Sequence, residues 1–322
     1  MKILIDKHIP FLSGVFERRA AVQYLEPREF TKESVRDADV LIIRTVVRCD
    51  RELLDGSSVS HIASATIGFD HIDTGYCASR GIVWNNCPGC NASGVADYVM
   101  AGIDYWLEMK KNIERHPLTI GIIGVGNVGK QVERLSRERG YGILLCDPPR
   151  AAKEGSKGFC DIDYLVERAD IISLHTPLTK EGENITYHLL SKSLIDRLKP
   201  QALVINAARG GVADEAALLQ REDIDCIIDT WEGEPVINGQ LLRKAIIGTY
   251  HIAGYTQEGK HNASRMCLDA LQQHYPTLKG LSIAPLPQSD KAAGRGWIKD
   301  VSDELKAHPQ SFALLRERYR LR

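Results

Sequence analysis

Arg209, Glu234 and His251 are three side chains from distant parts of the sequence that together have the chemistry to dehydrogenate a secondary alcohol. A guanidinium can hold a carboxylate through two hydrogen bonds. An imidazole titrates near neutral pH and can take the hydroxyl proton while a hydride leaves the carbon. A carboxylate bonded to the other ring nitrogen fixes the tautomer of that imidazole. Each of the three is more often structural when taken alone, so the hypothesis depends on the whole set.

A glycine-rich segment predicts a binding site for a dinucleotide. It follows the apolar run Leu118–Ile123, precedes a predicted helix and has the spacing G-x-G-x-x-G. In this pattern the first glycine makes a tight turn, the second lets the backbone approach a pyrophosphate, and the third lets the helix pack close to the strand. The N–H groups at the helix start then face the phosphates. The expected cofactor contacts, here and beside His251, are Gly124, Gly126, Asn127, Val128, Gly129 and Gly254.

Asp147 indicates which dinucleotide is bound. It ends a second apolar run, at about the distance from the glycines at which an acidic residue contacts the adenosine ribose. A carboxylate accepts hydrogen bonds from both ribose hydroxyls and repels a 2′-phosphate, which favours NAD over NADP. His175 and Thr176 follow a later predicted strand. We interpret this loop as a wall of the cofactor site, with Thr176 as the contact, and we do not choose His175 as the base.

Strand-like and helix-like stretches alternate along the chain, which predicts parallel sheets with helices on both faces. In the first set, helical turns are predicted at Glu52–Gly56 and Asp73–Arg80. Its strands, rich in Val and Ile, are predicted at Lys2–Asp6, Ala21–Leu25, Val40–Ile43, Val59–Ser64 and Ile82–Asn85. A long helix from Ser93 to about Glu114, with Ser93 as its N-cap, leads to the next set.

A second alternating set begins at Leu118 and opens with the glycine-rich segment. Its strands are predicted at Thr119–Ile123, Ile143–Cys146, Ile171–His175, Ala202–Asn206 and Asp225–Asp229. Its helices are predicted at Val128–Arg139, Ile162–Arg168, Lys192–Leu198 and Glu215–Arg221, and a further helix over about Thr256–His274 returns to the first set. Ligands of open α/β sheets bind outside the carboxyl ends of the strands. The three chemistry-bearing side chains lie at or beyond such ends.

The fold class predicted from this pattern is α/β, with two doubly wound parallel-sheet domains and a short C-terminal appendage. We expect a Rossmann NAD-binding domain over 96–254, inserted into a flavodoxin-like substrate domain formed by 1–95 and a returning helix in 255–278. Residues 279–322 are expected to form the appendage. Pro, Ser and Gly are frequent in Ser282–Gly296, and a charged helical tail follows.

The composition excludes several classes of protein. The net charge is −1, so no broad polyanion-binding surface and no nucleic-acid partner is expected. No apolar run approaches the roughly 20 residues that cross a bilayer, and the N-terminal run is too short for a signal peptide. We therefore expect a cytoplasmic protein without a membrane partner. The eight cysteines do not indicate a disulfide scaffold, and Cys146 and Cys226 lie in apolar runs as small buried side chains.

Cys87-Pro-Gly-Cys90 has the spacing of a redox dithiol or of half a zinc site. The sequence has no convincing second pair of ligands at suitable spacing, so no metal is expected. A redox dithiol would begin a helix early in a small domain, whereas this motif precedes a long helix within a larger architecture. The favoured interpretation is a plain loop near the active site, with redox chemistry as the alternative.

The motifs, their order and their separations resemble those of the D-2-hydroxyacid dehydrogenases. The resemblance rests on the glycine-rich segment with Asp147, His175-Thr-Pro, Asn206-Ala-Ala-Arg-Gly, Trp231-Glu-Gly-Glu-Pro and His251-Ile-Ala-Gly-Tyr-Thr. It implies an NAD-dependent oxidoreductase in which Arg209 binds the substrate carboxylate and the C2 oxygen. His251 is then the acid–base group and Glu234 its partner, chosen over Glu232 because it directly precedes the proline. The resemblance also places Asp229 near the nicotinamide carboxamide.

One branch of this family, whose substrate is a small phosphorylated hydroxy acid, is similar in further segments. These are Ala65–Asp73, Cys87–Ala92, Leu145–Arg150 and His251–Lys260. A phosphate needs donors beyond the carboxylate-binding arginine, and charge-assisted hydrogen bonds contribute roughly 1.5–3 kcal/mol each. The expected substrate contacts are Arg44, Thr45, Thr66 and Tyr255, with Arg48 and Lys260 as less favoured cations.

The resemblance to this branch also implies a C-terminal dimerisation domain, of which we expect the residues after the returning helix to form only a part. We therefore expect a homodimer whose contact is weakened by the short C-terminus. Two other functions stay open. One is a dehydrogenase for another phosphorylated D-2-hydroxy acid, such as 3-phosphoglycerate. The other is a non-catalytic protein that senses NAD and controls a protein partner.

Overall fold

The structure is a computed structural model that describes residues 1–110, 117–286 and 296–322. The chain divides into two compact units, Met1–Asn91 with Thr256–Ser289 and Ala92–Tyr255 with Asp290–Arg322. The sequence of the first unit is therefore interrupted by that of the second. The stretch 279–322, expected to form an appendage, is divided between the two units.

The first unit contains a parallel sheet of five strands in the order β2-β1-β3-β4-β5. The strands are β1 (Lys2–Asp6), β2 (Ala21–Leu25), β3 (Val40–Ile43), β4 (His61–Ser64) and β5 (Val83–Asn85). This is the flavodoxin-like order. The predicted strands are confirmed, although the last two begin one or two residues later than expected.

The helices of the first unit lie in both of its sequence segments. They are α1 (Arg51–Leu54), α2 (Thr74–Arg80) and α10 (Gln257–His274), with single 3₁₀ turns at Pro27–Glu29 and Pro276–Leu278. The hydroxyl of Thr256 accepts a hydrogen bond from the N–H of Gly259 (2.9 Å) and caps α10. The predicted returning helix is confirmed.

The strands of the first sheet are buried on both faces. Successive side chains of a strand point to opposite faces, so Ile3 and Leu4 belong to two different core layers. One layer includes Leu268 of α10, and the other includes Leu54 of α1. Burial on both faces explains why these strands are almost uninterrupted runs of Val, Ile and Leu.

The second unit contains a parallel sheet of six strands in the order β11-β10-β9-β8-β6-β7. The strands are β6 (Thr119–Ile123), β7 (Gly142–Cys146), β8 (Ile171–Leu174), β9 (Leu203–Asn206), β10 (Asp225–Ile228) and β11 (Ile247–Gly248). Dinucleotide-binding sheets have the strand order 3-2-1-4-5-6, in which strands 1 and 2 correspond to β6 and β7. Strand 3 would lie outside β7. In this protein its place is taken by Cys160, whose N–H donates to the carbonyl oxygen of Leu145 in β7 (2.8 Å). The unit is thus Rossmann-like with a reduced edge strand.

Nine helices of the second unit lie within the described residues, together with a 3₁₀ turn at Pro309–Ser311. They are α3 (Ala92–Met109), α4 (Asn127–Glu138), α5 (Pro148–Glu154), α6 (Ile162–Arg168), α7 (Lys192–Ile195), α8 (Glu215–Gln220), α9 (Gly239–Lys244), α11 (Trp297–Ala307) and α12 (Phe312–Arg318). The tail helices α11 and α12 contribute Ile298, Leu305 and Phe312 to the same core as the sheet.

Two local expectations for this unit need correction. The helix α3 already includes Ala92, so Ser93 lies inside the helix and is not its N-cap. The predicted end of this helix at Glu114 lies outside the described residues. The helix α5 was not among the helices predicted from the sequence. Proline fits the first positions of a helix, where no N–H partner is needed, and the side chain of Asp147 caps this one.

No helix in the described ranges has the length and apolar character needed to cross a bilayer. All eight cysteines are free thiols, and seven of them are buried, including Cys146 and Cys226. Both thiols of these apolar runs therefore pack as small hydrophobic side chains.

Candidate active site

The glycines of the glycine-rich loop have three different surroundings. Gly124 has a φ of +87°, and a Cβ there would lie 2.7 Å from the carbonyl carbon of His175. A Cβ on Gly129 would lie 2.2 Å from the carbonyl oxygen of Gly124, so the first turn of α4 packs directly on the loop. A Cβ on Gly126 would meet no atom within 4 Å. Gly124 and Gly129 are thus required by the protein's own packing, whereas the space at Gly126 is open to a ligand.

The helix α4 begins directly after this open space. Gly126 is its N-cap, and Asn127 and Val128 are its first two residues. The first N–H groups of a helix have no partner within the helix, and the helix dipole adds positive potential at the same end. A pyrophosphate beside Gly126 would therefore be bound by main-chain N–H groups.

Asp147 lies at the carboxyl end of β7 and is fixed against the glycine-rich loop. Its Oδ2 accepts a hydrogen bond from the N–H of Val125 (2.7 Å), and its Oδ1 accepts one from the N–H of Arg150 (3.0 Å). The guanidinium of Arg150 donates to the carbonyl oxygen of Val125 (2.6 Å) and pairs with Glu154. The carboxylate keeps lone pairs that can accept hydrogen bonds from ribose hydroxyls.

A cavity of about 1010 Å³ is lined by residues that follow β6, β7 and β8. Its lining includes Gly124, Gly126, Asp147, His175 and Thr176. Nδ1 of His175 and Oγ1 of Thr176 are buried and have no hydrogen-bond partner within the described residues. Buried polar atoms are nearly always paired in folded proteins. These two atoms and the open space at Gly126 therefore fit a bound NAD.

His175 contributes to this cavity as a neutral ring. Its Nε2 lies 2.8 Å from the hydroxyl of Ser173. Burial lowers the pKa of His175 to about 3, since the charged ring loses its hydration. A ring with so low a pKa is a poor proton acceptor near neutral pH, which supports the choice of a different histidine as the base.

His251 and Glu234 form a hydrogen-bonded pair. Nδ1 of His251 lies 2.9 Å from Oε2 of Glu234. The other carboxylate oxygen of Glu234 accepts a hydrogen bond from the N–H of Trp231 (2.7 Å), which holds it in place. The side chains of His251 and Glu234 are 28% and 20% exposed, so the ring stays accessible to a ligand. With Nδ1 bonded to the carboxylate, Nε2 is the nitrogen that can exchange a proton with a substrate.

Asp229 holds the segment that carries His251. It is 1% exposed, and its oxygens accept hydrogen bonds from the Thr249 hydroxyl (2.6 Å), the Ile252 N–H (2.7 Å) and the Ala253 N–H (2.9 Å). The N–H of His251 donates to the main-chain oxygen of Asp229 (2.9 Å). This carboxylate therefore positions the histidine, and its contact with a nicotinamide stays a prediction.

Arg209 is exposed in the mostly buried loop after β9, and its Nη1 donates to a carbonyl oxygen of the same loop (2.7 Å). The side chain of Asn206, 2% exposed, donates to the carbonyl oxygen of Arg209 (3.0 Å) and so fixes the turn. A Cβ on Gly210 would lie 1.9 Å from the carbonyl oxygen of Trp231. The arginine loop thus packs on the main chain of the segment that holds Glu234.

The candidate residues of the second unit follow neighbouring strands of one parallel sheet, so they share its carboxyl edge. Most of the predicted cofactor contacts follow β6, β7 and β8, and the predicted catalytic residues follow β9, β10 and β11. The glycines follow β6, Asp147 follows β7, Thr176 follows β8, Arg209 follows β9, Asp229 and Glu234 follow β10, and His251 with Gly254 follows β11.

The sequence did not point to Glu215, a buried carboxyl group beside the segment that holds Glu234. It is 6% exposed, and its Oε1 accepts a hydrogen bond from the N–H of Glu232 (2.6 Å). The carboxylate of Glu232 binds Nε2 of His188 (3.2 Å) and the hydroxyl of Tyr187 (2.8 Å). Burial raises the pKa of Glu215 to about 7, and the negative charges of Glu232 and Glu234 act in the same direction. Acidic residues are common in the first turn of a helix, so the position of Glu215 in the sequence did not indicate an unusual environment.

Three of the predicted substrate contacts lie in the first unit, at or after the ends of β3 and β4. Arg44 forms two hydrogen bonds with the fully buried Asp6, through Nε (2.8 Å) and Nη2 (3.1 Å). Thr45 is exposed, and the hydroxyl of Thr66 donates to the carbonyl oxygen of Gly68 (3.0 Å). A guanidinium held in this way is well oriented for an anion. The three contacts stay predictions.

The remaining candidates are divided between the units. Tyr255 belongs to the second unit, where the guanidinium of Arg316 lies 5.5 Å from its ring centre. Arg48, in the first unit, is bonded through Nε to Asp50 (2.7 Å). Lys260 lies in the first turns of α10. These assignments also stay predictions.

Cys87 and Cys90 lie in the loop between β5 and α3, as predicted, and both are buried. The Sγ of Cys87 lies 3.7 Å from the Sγ of Cys267. Burial raises the pKa of Cys90 to about 12, which disfavours the reactive thiolate. Within the ranges that the structure describes, no group of three or more His, Cys, Asp or Glu side chains could hold a metal ion.

Comparison with protein families matches residues 96–253 to the model described as "D-isomer specific 2-hydroxyacid dehydrogenase, NAD binding domain". A curated relative from Bacteroides fragilis, named "Erythronate-4-phosphate dehydrogenase", is 44% identical over 100% of this chain and 97% of its own length. A relative of the same name from Porphyromonas gingivalis is 42% identical over 88% of this chain and 79% of its own length.

Solved structures show the same architecture. The NAD⁺-bound 3-phosphoglycerate dehydrogenase of Entamoeba histolytica has a TM-score of 0.66 and 29% identity, over 89% of this chain and 99% of that chain. The match includes both units, because it covers most of the sequence. The comparisons therefore agree with the α/β fold class and with the nature of the cofactor.

Proposed function

Because the chain belongs to the D-isomer specific 2-hydroxyacid dehydrogenase family, we propose that it oxidises 4-phospho-D-erythronate at C2 to the 2-oxo acid. The enzyme is an NAD-dependent dehydrogenase. The name shared by the relatives supports the choice of substrate. The hydrogen-bonded pair of His251 and Glu234 is the observation that carries the proposal of catalysis. The reaction would place the enzyme in the formation of pyridoxal 5′-phosphate.

His251 takes the proton of the C2 hydroxyl in this proposal. Its Nδ1 is bonded to Glu234 (2.9 Å), which leaves Nε2 for the substrate. The carboxylate stabilises the imidazolium that forms and keeps the ring in one orientation. The N–H of Trp231 holds the carboxylate in turn. A protein that only senses NAD has no need of such a pair, so the pair favours an enzyme over a binding module.

Arg209 holds the substrate carboxylate and the C2 oxygen. Of its three guanidinium nitrogens, only Nη1 has a hydrogen-bond partner among the described residues, and this partner is a carbonyl oxygen of the same loop. Nε and Nη2 are then available to form two parallel hydrogen bonds with a carboxylate. Bound NAD would supply the hydride acceptor at the carboxyl edge of the same sheet. Asn206 keeps the arginine loop in place during this contact.

A phosphate group on the substrate needs its own donors. We propose Arg44, Thr45, Thr66 and Tyr255 for this purpose. Arg44 is the strongest of them on physical grounds, since the buried carboxylate of Asp6 orients its guanidinium. Its Nη1 has no hydrogen-bond partner within the described residues. The family resemblance also supports a homodimer in the cytoplasm, and light scattering of the purified chain would measure the assembly state.

The test is a comparison of substrates at equal concentration. NAD reduction is followed at 340 nm with 4-phosphoerythronate, 3-phosphoglycerate, D-erythronate and D-lactate. We expect kcat/KM for 4-phosphoerythronate to exceed that for D-erythronate by about 100-fold, as two charge-assisted contacts to the phosphate would give.

Each other outcome has a definite meaning. Faster turnover of 3-phosphoglycerate would make the chain a dehydrogenase for that acid. Equal turnover with and without the phosphate would remove the phosphate-binding role of Arg44. NAD binding without turnover of any of the four acids would overturn the proposal and favour a protein that senses NAD.

A further inference from the structure

The helix α11 contacts the segment Gly248–Tyr255, which carries His251. The hydroxyl oxygen of Ser302 accepts a hydrogen bond from the N–H of Gly248 (3.0 Å). The hydroxyl of Tyr250 donates to Oε2 of Glu304 (2.8 Å). Ser302 is 1% exposed, so its bond is shielded from competing water.

Arg322 contacts the same segment from the far end of the tail. Its Nη2 donates to the carbonyl oxygens of Ala253 (2.6 Å) and Gly94 (3.0 Å). Its guanidinium lies 4.0 Å from the ring centre of Trp297. The arginine thus joins the His251 segment to the start of α3 and to the start of α11.

The tail and Asp229 bind different positions of the segment, except for position 253, which both of them bind. Asp229 binds the residues at positions 249, 251, 252 and 253. The tail binds positions 248, 250 and 253. The segment is therefore held from two directions, and Ala253 is bonded on both, through its N–H and its carbonyl oxygen.

The tail is itself well anchored in the second unit. Ile298 and Leu305 are fully buried, and Phe312 is 1% exposed. The Nζ of Lys306 donates to the carbonyl oxygen of Ala245 (2.6 Å), just before β11. An element with a buried apolar face transmits its position to the groups it touches. The contacts with the His251 segment are thus part of a packed core.

We propose that Glu304 and Arg322 are positioning residues for His251, which they keep aligned through Tyr250 and Ala253. Neither touches the reacting atoms. The inference rests on the proposed role of His251 as the acid–base group. It adds that Glu304 and Arg322 connect the tail to the acid–base group of the second unit, in addition to any role of the tail in assembly.

The experiment compares Arg322→Met with Arg322→Lys and with the control Arg318→Met in the full-length enzyme. Arg318 is exposed on α12, so the control removes the same charge from the same tail. We expect R322M to lower kcat for 4-phosphoerythronate about 10-fold or more, as a small misplacement of a catalytic group does. The Kd for NAD, measured by quenching of tryptophan fluorescence, should stay within about twofold. R322K should recover part of the lost kcat, because it keeps a donor for Ala253.

A second readout does not need turnover. The ring signals of His251 are recorded by NMR in the NAD complex, with His251→Asn used to assign them. In R322M the chemical shifts of this ring should differ from those in R318M, because the hydrogen bond to Glu234 changes its geometry. If the wild type turns over no hydroxy acid, the proposed function fails, whereas this shift would still support the positioning role.

A milder variant covers the case in which R322M does not fold. Tyr250→Phe removes the bond to Glu304 and keeps the ring. It should lower kcat about 3-fold or more and leave the Kd for NAD unchanged, with the same kind of change in the ring signals of His251. The proposal is wrong if R322M matches R318M in kcat and in the ring signals of His251. Where R322M is unfolded, the same comparison is made with Y250F.

Discussion

At His251 the main chain has a φ of +59°, in the left-handed region that ordinary side chains rarely adopt. This conformation costs roughly 1–2 kcal/mol in an L-residue. Three hydrogen bonds to the buried carboxylate of Asp229 offset that cost. The same residue pairs with Glu234 (2.9 Å), so the strain lies at the acid–base group that we propose.

We expect His251→Asn to reduce kcat by about 10²–10⁴-fold, which is the usual contribution of a positioned acid–base group. Asparagine tolerates the left-handed backbone, so the loss reflects the missing imidazole and not a rearranged loop. Steady-state NADH formation gives kcat, and a fluorescence titration should give a Kd for NAD within about twofold of wild type.

A matched control is available at His188, which also has a positive φ (+51°) and also pairs with a glutamate. His188→Asn should retain most of the turnover. If H251N keeps the wild-type kcat, another group is the base. If H251N and H188N lose kcat equally, the substitutions have damaged the fold.

At the scale of elements, each connection that follows a strand of the second sheet carries residues of the candidate site. The glycine-rich connection between β6 and α4 shows how a single loop divides its residues between folding and binding. A Cβ on Gly129 would approach Gly124 to 2.2 Å, whereas a Cβ on Gly126 would meet nothing within 4 Å. Both positions have ordinary negative φ values, so an added methyl group tests space alone.

The variants Gly126→Ala and Gly129→Ala should therefore behave differently. In G126A the free energy of unfolding without NAD should change by less than about 0.5 kcal/mol. The Kd for NAD should rise about 10-fold or more, because the methyl group occupies the place of the pyrophosphate. In G129A the free energy of unfolding itself should fall by about 1–3 kcal/mol, since the helix must move away from the loop. Urea denaturation and an NAD titration measure both quantities.

If G126A binds NAD with the wild-type Kd, the cofactor phosphates lie elsewhere. If G129A has the wild-type free energy of unfolding, α4 can move away from the loop without cost.

At the scale of the whole molecule, the balance of charge is close to neutral, with a net charge of −1. One buried carboxyl group nevertheless links the folding of the second unit to pH. Burial raises the pKa of Glu215 from 4.5 to about 7. A raised pKa means that the folded protein holds this proton more tightly than the unfolded chain. The resulting stability is fully present below about pH 4.5 and is lost as the pH rises through about 7.

Glu215→Gln removes this titration and keeps an acceptor for the N–H of Glu232. Relative to E215Q, the wild type should lose up to about 3 kcal/mol of unfolding free energy between about pH 4.5 and pH 8. Urea denaturation at several pH values gives the difference, in which other titrating groups cancel. The exposed Glu222, in the next turn of chain after α8, gives the control E222Q, for which we expect no such trend. A pH-independent difference between E215Q and wild type would contradict the raised pKa.

Much of the fold was predictable because its signals are local. Buried parallel strands must be short runs of Val, Ile and Leu, and tight turns at phosphates need glycine. The strands except β11, the returning helix and the glycine-rich loop were therefore found from composition and spacing. The two-residue strand β11 is too short to have such a signal. Glu234 and His251 were selected from their motifs, and the structure places their side chains 2.9 Å apart.

Other features depend on which loops meet, and spacing along one chain does not encode this. Asn206, Glu215 and the tail residues Glu304 and Arg322 look ordinary in sequence, because their partners are distant in the chain. The sequence by itself determined the fold class, the cofactor and the chemical groups, since each has a local signature. Only the tertiary structure decided how those groups are held, because burial and hydrogen-bond geometry arise when separate segments pack together.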